Sequence, residues 1–338
     1  MANTRSRCPP RIGITLGDIN GVGPEVALKA AYRVARKCPC RIVLIGSSSA
    51  VRQQARAANL PVPPAWSPSN GAAPSSKVVL WDPTPGQHPA WKPGAIRADA
   101  SRAAAAWIRE AVRACVEGSL DAMVTAPICK EGFHAAGVKF PGHTEMLAEL
   151  THTRRFAMML FGGPLRVVLV TRHIPLAKVA TSLTQAKIVE AIRLAGEALP
   201  WMGWRQSRIA VCGLNPHAGD GGKIGREELT VIAPAIRRAQ REGLEVTGPV
   251  PSDTVFHQAI KGRYDVVVAM YHDQGLGPLK MLAFDVGVNV TLGLPIVRTS
   301  PDHGTAFDIA GRNRANPQSM IEAVEWAVFL ARRKNPWK

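Results

Sequence analysis

Short runs of β-branched residues alternate with longer amphipathic segments along most of the 338-residue chain, and no other feature constrains the fold as much. The runs have the length and composition of strands, and the segments have the spacing of helices with one apolar face. Such alternation is typical of α/β proteins with a mainly parallel sheet. Strands are predicted in these runs: Arg11–Leu16, Arg41–Ile45, Asp121–Thr125, Leu165–Thr171, Arg208–Cys212, Tyr264–Ala269 and Val288–Leu292.

The helical segments follow the same rhythm, with one interruption. Helices are predicted in these segments: Pro24–Lys37, Ala98–Glu117, Thr184–Leu199, Glu227–Arg241 and Ser319–Arg332. Between Pro61 and Pro93, nine prolines occur among glycine, serine and alanine residues. We predict a surface insertion that holds at most one strand, Lys77–Trp81, and a flexible linker is the alternative.

Charge and hydropathy exclude several classes of protein. The chain has 42 Lys and Arg against 25 Asp and Glu, a net charge of +17, which suits an anionic partner. The basic residues are scattered and form no stripe, so we expect a small anionic substrate and no nucleic acid. No apolar run is long enough to cross a membrane, and the polar start has no signal-peptide core, so we expect a cytoplasmic protein. The six cysteines lack zinc-knuckle spacing and are expected to be reduced thiols.

Three histidines each come shortly after a predicted strand: His173, His217 and His272. The carboxyl ends of parallel strands meet at one edge of a sheet, where such folds bind ligands. Three imidazoles at that edge suit a divalent metal with an open position for substrate: zinc, cobalt, nickel or iron, or magnesium if carboxylates and water complete the shell. Ordinary loop or core histidines are the alternative. Asp273, and less strongly Asp253, are candidates for a carboxylate that orients a ligand or the substrate.

A second group of polar residues is suited to bind an anion. His143 and Thr144 stand just ahead of a helix-like run, and a helix N-terminus attracts negative charge. Lys280, Asn289 and Arg298 follow downstream, interleaved with an apolar strand pattern. Their charges and hydrogen-bond donors fit a phosphate or a carboxylate. Ordinary surface charge is the alternative, above all for Lys280.

The first glycine-rich turn, Gly17–Glu25, follows a strand and opens a helix. It does not have the G-x-G-x-x-G spacing, and no acidic residue closes the next strand. A standard Rossmann dinucleotide site is therefore not expected here.

Five stretches of the chain resemble the 4-hydroxythreonine-4-phosphate dehydrogenase family, the NAD-dependent enzymes of pyridoxal phosphate synthesis: Gly17–Glu25, Pro141–Glu145, Gly213–Gly219, Met270–Gly275 and Gly287–Pro295. The resemblance implies two α/β/α lobes with mainly parallel sheets, similar to isocitrate and isopropylmalate dehydrogenases. It implies an active site in the inter-domain cleft at a dimer interface. Residues 1–135 plus 290–338 would form the lobe with the NAD adenosine loop. Residues 136–289 would form the lobe for metal, substrate and dimerisation.

The resemblance also implies an activity, the oxidation with decarboxylation of 4-phosphohydroxy-L-threonine to 3-amino-2-oxopropyl phosphate. It implies a divalent metal, most simply zinc, on His173, His217 and His272, and a homodimer with a shared active site. Its motifs place the following residues on the substrate and its phosphate: His143, Thr144, Lys280, Asn289 and Arg298. Either His143 or Asp273 would relay the proton.

The segment Asp302–Gly311 is similar to the adenosine-binding loop of isopropylmalate and isocitrate dehydrogenases. That similarity implies adenosine contacts from Gly304, Asp308 and Asn316, and the Asp308 carboxylate would favour NAD over NADP. The segment Thr125–Lys130 varies among relatives, and the turn Asp18–Gly21 has Ile19 after the aspartate, where the family more often has a proline. The alternative substrates are therefore terephthalate cis-dihydrodiol and a sugar-acid 4-phosphate.

Overall fold

A computed structural model describes residues 9–70, 75–86 and 89–338 of the chain. The chain forms two compact units, of which the first is discontinuous: Met1–Thr153 with Leu294–Lys338, and Arg154–Gly293. The boundaries expected from the sequence, after residues 135 and 289, differ from these. His143 and Thr144 consequently belong to the first unit, where their helix packs against the long helix that begins at Ala98.

The sheet of the first unit has five strands in the described part of the chain: β1 (Arg11–Thr15), β2 (Arg41–Ile45), β3 (Val78–Trp81), β4 (Ala122–Thr125) and β11 (Arg298–Pro301). Their order is β3-β2-β1-β4-β11, and every pair is parallel. Strands β1 to β4 are short, largely apolar runs that are buried almost throughout, as expected for a parallel sheet covered by helices on both faces, whereas β11 is buried but polar.

The helices of the first unit include three long ones that cover the sheet. The described helices are α1 (Gly23–Lys37), α2 (Ser48–Ala57), α3 (Ala98–Val116), α4 (Lys130–Ala135), α5 (His143–Leu150) and α11 (Gln318–Ala331), with a 3-10 turn at Pro68–Asn70. Pro24 stands in the first turn of α1, where its missing N–H costs no hydrogen bond. The C-terminal helix α11 packs against α1, β4 and β11, which returns the end of the chain to this unit.

The sheet of the second unit has six strands among the described residues: β5 (Ala157–Gly162), β6 (Leu165–Leu169), β7 (Ile209–Cys212), β8 (Val246–Val250), β9 (Val266–Ala269) and β10 (Val288–Leu292). Their order is β10-β5-β6-β9-β7-β8. The β6–β9, β9–β7 and β7–β8 pairs are parallel, and the β10–β5 and β5–β6 pairs are antiparallel. Both sheets therefore agree with the predicted mainly parallel α/β fold.

The helices of the second unit, as far as the structure describes it, are α6 (Val179–Ser182), α7 (Gln185–Trp201), α8 (Ala233–Arg241), α9 (Ser252–Ile260) and α10 (His272–Ala283), with 3-10 turns at Leu176–Lys178 and Pro216–Gly222 and a π-helical turn at Glu228–Ile232. The core of this unit lies between β5, β6, β7 and β9 on one side and α9 and α10 on the other. The π-helical turn interrupts the helix predicted for Glu227–Arg241.

The predicted insertion contains the predicted strand as β3. Residues 71–74 and 87–88 of the insertion lie outside the described residues, as do Cys8 and most of the polar start. Strands β5, β8 and β11 were not predicted from the sequence. None of the helices in the described ranges has the length and apolar character needed to cross a bilayer.

Candidate functional site

The three histidines of the second unit follow three strands that are neighbours in the sheet. His173 comes after β6, His217 after β7, and His272 is the first residue of α10, directly after β9. Because β6, β9 and β7 are adjacent and parallel, their carboxyl ends lie along one edge. The topology thus brings the loops of all three histidines to the same edge of the second unit.

Two of these imidazoles lie side by side. The ring centroids of His173 and His272 are 5.5 Å apart and the rings are inclined by 43°. Two imidazoles on one tetrahedral zinc, with Zn–N bonds of about 2.1 Å, would have centroids roughly 5 Å apart. Nδ1 of His272 is 2.7 Å from Oδ1 of Asp273, a contact that leaves Nε2 to act as a ligand. The pair fits the donor chemistry of a divalent metal.

His217 lies in a loop of unusual backbone conformation. Five consecutive residues, His217 to Gly221, have positive φ angles of 51°, 52°, 82°, 43° and 65°. For a residue with a side chain this conformation costs about 1–2 kcal/mol. A left-handed turn with three non-glycine residues persists only where its surroundings hold it, and such strain concentrates at functional sites.

The buried carboxylate of Glu228 holds this loop. Its Oε1 accepts hydrogen bonds from the backbone N–H groups of Leu214 and Asn215, both at 2.7 Å, and its Oε2 accepts one from Nδ2 of Asn215 at 2.9 Å. A Cβ atom on Gly219 would lie 2.7 Å from Oε2 of Glu228, so the loop needs glycine at this point. Glu228 begins the π-helical turn, a feature that is often found at functional sites.

Gln274 connects the loops on which His217 and His272 lie. Its Oε1 accepts from the N–H of Met270 at 2.6 Å, and its Nε2 donates to the carbonyl of Gly213 and to Oγ of Ser252, both at 2.7 Å. Asp253, beside Ser252, is exposed in the first turn of α9. Neither Glu228 nor Gln274 was found by sequence reasoning, because each acts through loop backbone groups whose positions depend on the fold.

A single copy of the described chain gathers no three His, Cys, Asp or Glu side chains into a metal-ligand set. His217 is exposed on its loop and the pair His173–His272 is partly exposed. The three-histidine metal site stays a prediction.

The hydrogen bonds between Glu228 and the His217 loop lead to a testable prediction. Glu228→Gln replaces one acceptor oxygen by an NH2 group that faces other donors, so we expect the free energy of unfolding to fall by about 1–3 kcal/mol. Because the His217 loop loses its support, zinc affinity should fall by about 10–100-fold. Calorimetric zinc titration and urea unfolding measure both effects, with the exposed Glu245→Gln as the matched control. A folded Glu228→Gln protein with unchanged zinc affinity would show that the loop does not depend on this carboxylate.

The anion-binding candidates of the first unit surround a buried arginine. Arg298 is 2% exposed at the start of β11, and its Nη2 donates to Oγ1 of Thr125 at 2.6 Å. Burial lowers the pKa of the guanidinium to about 9, partly offset by Glu145, so the group stays charged at neutral pH. Thr125 was not singled out from the sequence, since its role depends on the pairing of β4 with β11.

His143 and Thr144 form the first turn of α5, as the sequence suggested. Burial, and next the charges of Arg298 and Lys130, hold the pKa of His143 well below its usual range. The imidazole is therefore neutral at neutral pH. Its Nε2 is buried and has no hydrogen-bond partner among the described residues, which is costly unless a ligand supplies one.

Lys280 and Asn289 belong to the second unit. Lys280 lies near the end of α10, with its Nζ 5.7 Å from the ring centre of Phe284. Asn289 is 8% exposed on β10, and its Oδ1 is buried with no hydrogen-bond partner in the described part of the chain. The Asn289 amide thus has an acceptor available for a ligand.

The segment around Gly304 is anchored at both ends and exposed between them. Its Thr305 carbonyl accepts from the N–H of Val22 at 2.9 Å, and the N–H of Asp302 donates to Oγ of Ser319 at 3.0 Å. Gly304 is exposed, and no atom lies within 4 Å of the position that a Cβ would take there. Asp308 and Asn316 are also exposed. An open carboxylate and an open backbone suit the hydroxyl groups of a ribose.

The buried cysteines Cys129 and Cys212 are poor nucleophiles. The five in the described residues are free thiols. Burial raises the pKa of Cys212 to about 12 and also raises the pKa of Cys129, so both are protonated at neutral pH.

Comparison with known proteins identifies the family. The model of the family described as pyridoxal phosphate biosynthetic protein PdxA matches residues 38–327. The chain belongs to the PdxA family. It is 46% identical over 337 residues to the 4-hydroxythreonine-4-phosphate dehydrogenase of Geobacter metallireducens, covering 99% of this chain and 98% of the relative. It is 42% identical over 329 residues to the D-threonate 4-phosphate dehydrogenase of Cupriavidus necator, covering 96% of this chain and 98% of that relative. Both relatives are named as dehydrogenases.

Solved structures confirm the fold expected for a PdxA chain. The crystal structure of 4-hydroxythreonine-4-phosphate dehydrogenase from Klebsiella pneumoniae superposes with a TM-score of 0.84 at 41% identity, over 96% of this chain and 99% of that one. A terephthalate 1,2-cis-dihydrodiol dehydrogenase from Burkholderia xenovorans has a TM-score of 0.65 at 31% identity, over 95% and 98%. The fold is shared by a β-decarboxylating dehydrogenase from Thermococcus kodakarensis, with a TM-score of 0.50 at 15% identity. The match covers 95% of this chain and 83% of that one.

Proposed function

We propose that this protein is a divalent-metal-dependent and NAD-dependent dehydrogenase that oxidises 4-phosphohydroxy-L-threonine. The products would be carbon dioxide, NADH and 3-amino-2-oxopropyl phosphate. The single observation that carries the proposal is the buried, charged Arg298 beside the neutral, unpartnered imidazole of His143. The names of the relatives from Geobacter metallireducens and Klebsiella pneumoniae support it.

A phosphate group is the ligand that this pair of side chains suits. A guanidinium carries five N–H donors in a planar fork that matches phosphate oxygens. The hydrogen bond to Thr125 holds the fork in one orientation. Arg298 and Thr144 are therefore assigned to the substrate phosphate, with His143, Lys280 and Asn289 as further substrate contacts.

The metal and NAD would supply the redox chemistry. His173, His217 and His272 would hold the divalent ion, which would supply Lewis-acid chemistry at the substrate alcohol, and NAD would supply the hydride acceptor. Gly304, Asp308 and Asn316 are assigned to the adenosine part of NAD. A homodimer with a shared active site also belongs to the proposal.

Proton handling is assigned to His143. A general base must be unprotonated at the working pH, and the lowered pKa of His143 meets that condition. Asp273 is engaged with Nδ1 of His272 at 2.7 Å, so its role is to fix the orientation and tautomer of that imidazole.

A second candidate substrate is D-threonate 4-phosphate, which the Cupriavidus necator relative at 42% identity supports. Both candidates carry the same phosphate, so the Arg298 site suits both. Terephthalate cis-dihydrodiol is supported by a structure at lower identity and would place a carboxylate at the same guanidinium.

The test is an NADH absorbance assay with zinc-loaded protein and equal concentrations of the three candidates. The proposal expects the largest kcat/KM for 4-phosphohydroxy-L-threonine, with no turnover after chelation. A larger value for D-threonate 4-phosphate would transfer the function to that substrate. Turnover of the dihydrodiol alone would contradict the assignment of a phosphate at Arg298.

A further inference from the structure

A cavity of about 800 Å³ lies in the first unit at the edge of the sheet opposite the candidate site. Arg11 and Arg41, the first residues of β1 and β2, line it, and so does Lys77, which directly precedes β3. These strands are parallel, so the cavity lies at their amino ends. Thr125, by contrast, is at the carboxyl end of β4.

The lining of this cavity is strongly cationic. Among the described residues that line it, four carry positive charge: Arg11, Arg41, Lys77 and Arg332. The single acid is Asp121, whose carboxylate already accepts a hydrogen bond from the N–H of Arg11 at 2.7 Å. Burial raises the pKa of the lining thiol of Cys40 to about 11, so it adds no negative charge. A net excess of about three positive charges remains, a local field that attracts anions.

Hydrogen bonds to backbone carbonyls fix three of the cations. Nη2 of Arg11 donates to Gly118 at 2.8 Å, Nζ of Lys77 to Ala35 at 3.2 Å, and Nη2 of Arg332 to Pro39 at 2.9 Å. Such bonds have a structural use of their own, since a cation near the end of α1 favours that helix. Each bond takes one donor of a side chain that has three or five. The three bonds hold the charged groups at fixed positions along the wall of the cavity.

The positive charge extends into an adjoining cavity of about 330 Å³. This second space shares Asp121 and Ala331 with the first, and Arg333, Lys334 and Lys338 also line it. The two spaces together form one groove, which we call the amino-edge groove.

We propose that the amino-edge groove binds a small anion that carries two or three linked phosphates. Its larger cavity has the volume of a small-molecule site, and its charge excess matches such a ligand. No aromatic residue lines either cavity in the described chain. Single-stranded nucleic acids generally need aromatic side chains for base stacking, so their recognition here is disfavoured.

The test is calorimetric titration of the whole protein with tripolyphosphate. The double variant Arg41→Glu/Lys77→Glu should bind at least about tenfold more weakly. The neutral variant Lys77→Gln/Arg332→Gln should show a smaller loss, and it keeps the test informative if the charge-reversed protein does not fold. The matched control Arg237→Glu/Lys261→Glu changes the net charge equally on exposed residues of the second unit. Arg298→Met, which changes the proposed substrate site, distinguishes binding in the groove from binding at that site.

We expect the control and Arg298→Met to keep their affinity for tripolyphosphate, and both groove variants to lose affinity. Unchanged affinity in the folded groove variants would overturn the proposal. So would an equal loss in the control, or a loss confined to Arg298→Met. Tighter binding of a single-stranded RNA oligonucleotide than of tripolyphosphate, lost in the same groove variants, would overturn the assignment to a small anion.

Discussion

His217→Ala is expected to abolish zinc retention and to lower turnover by more than about a hundredfold. Mutation of a residue that only supports a metal ligand typically lowers metal affinity or activity by about 10–100-fold. Because His217→Ala removes a proposed ligand itself, its effect should be larger. The fold should persist, because His217 is exposed and its loop is held through the backbone of Leu214 and Asn215. Alanine keeps the Cβ atom, so the backbone strain at this position stays and no gain of stability is expected.

The measurement is metal content after gel filtration, by mass spectrometry, together with the kcat of the zinc-loaded protein. His257→Ala is the matched control, since His257 is an exposed histidine of the same unit on α9. Zinc retained by His217→Ala at the level of the His257→Ala control would remove His217 from the metal site.

Arg298→Met should raise the KM for a phosphorylated substrate about 100-fold or more. A guanidinium that makes two charged hydrogen bonds to a phosphate contributes about 3 kcal/mol or more to binding, which corresponds to that factor. The variant also removes a buried charge and replaces it by an apolar chain of similar length. The desolvation cost of the charge is then removed, but Oγ1 of Thr125 loses its donor, so the free energy of unfolding should change by no more than about 1–3 kcal/mol.

Arg298→Lys keeps the charge but loses the planar fork, so its KM should lie between those of the wild type and Arg298→Met. Steady-state kinetics and thermal unfolding of both variants measure these effects, and Arg56→Met, an exposed arginine of the first unit, is the control. An unchanged KM in Arg298→Met would place the phosphate elsewhere. A large loss of stability without a change in KM would make Arg298 a structural residue.

Much of the fold was accessible from the sequence because its signals are local. The apolar runs that became β2 and β10 have the bounds that were predicted, and the proline near the start of α1 marks that helix correctly. Strand β8 was missed because it contains a glycine and a proline and is only partly buried, so its pattern is not that of a core strand. Strand β11 was missed because it begins with a buried arginine and ends with a proline.

The candidate site was accessible in part for the same reason. Positions at strand ends and helix starts can be found from the pattern, which is how His173, His272 and His143 were selected. Glu228 and Gln274 could not be found that way, because their role is to form hydrogen bonds with backbone groups of other loops. The strain of the His217 loop likewise leaves no mark in the sequence beyond its glycines.

The division into units also depends on packing between distant parts of the chain. Helix α5 lies at the border in sequence, and its contact with α3 places His143 in the first unit. No local pattern in residues 136–153 shows that this segment belongs to the first unit and not to the second.

The most direct measurement is a crystal structure of the protein with zinc and 4-phosphohydroxy-L-threonine, with anomalous data at the zinc edge. We expect an anomalous peak within about 2.1 Å of imidazole nitrogens from His173, His217 and His272, counted over both copies of a dimer. We also expect the substrate phosphate on the guanidinium of Arg298. A peak on other residues, or a phosphate away from Arg298, would contradict the proposed site.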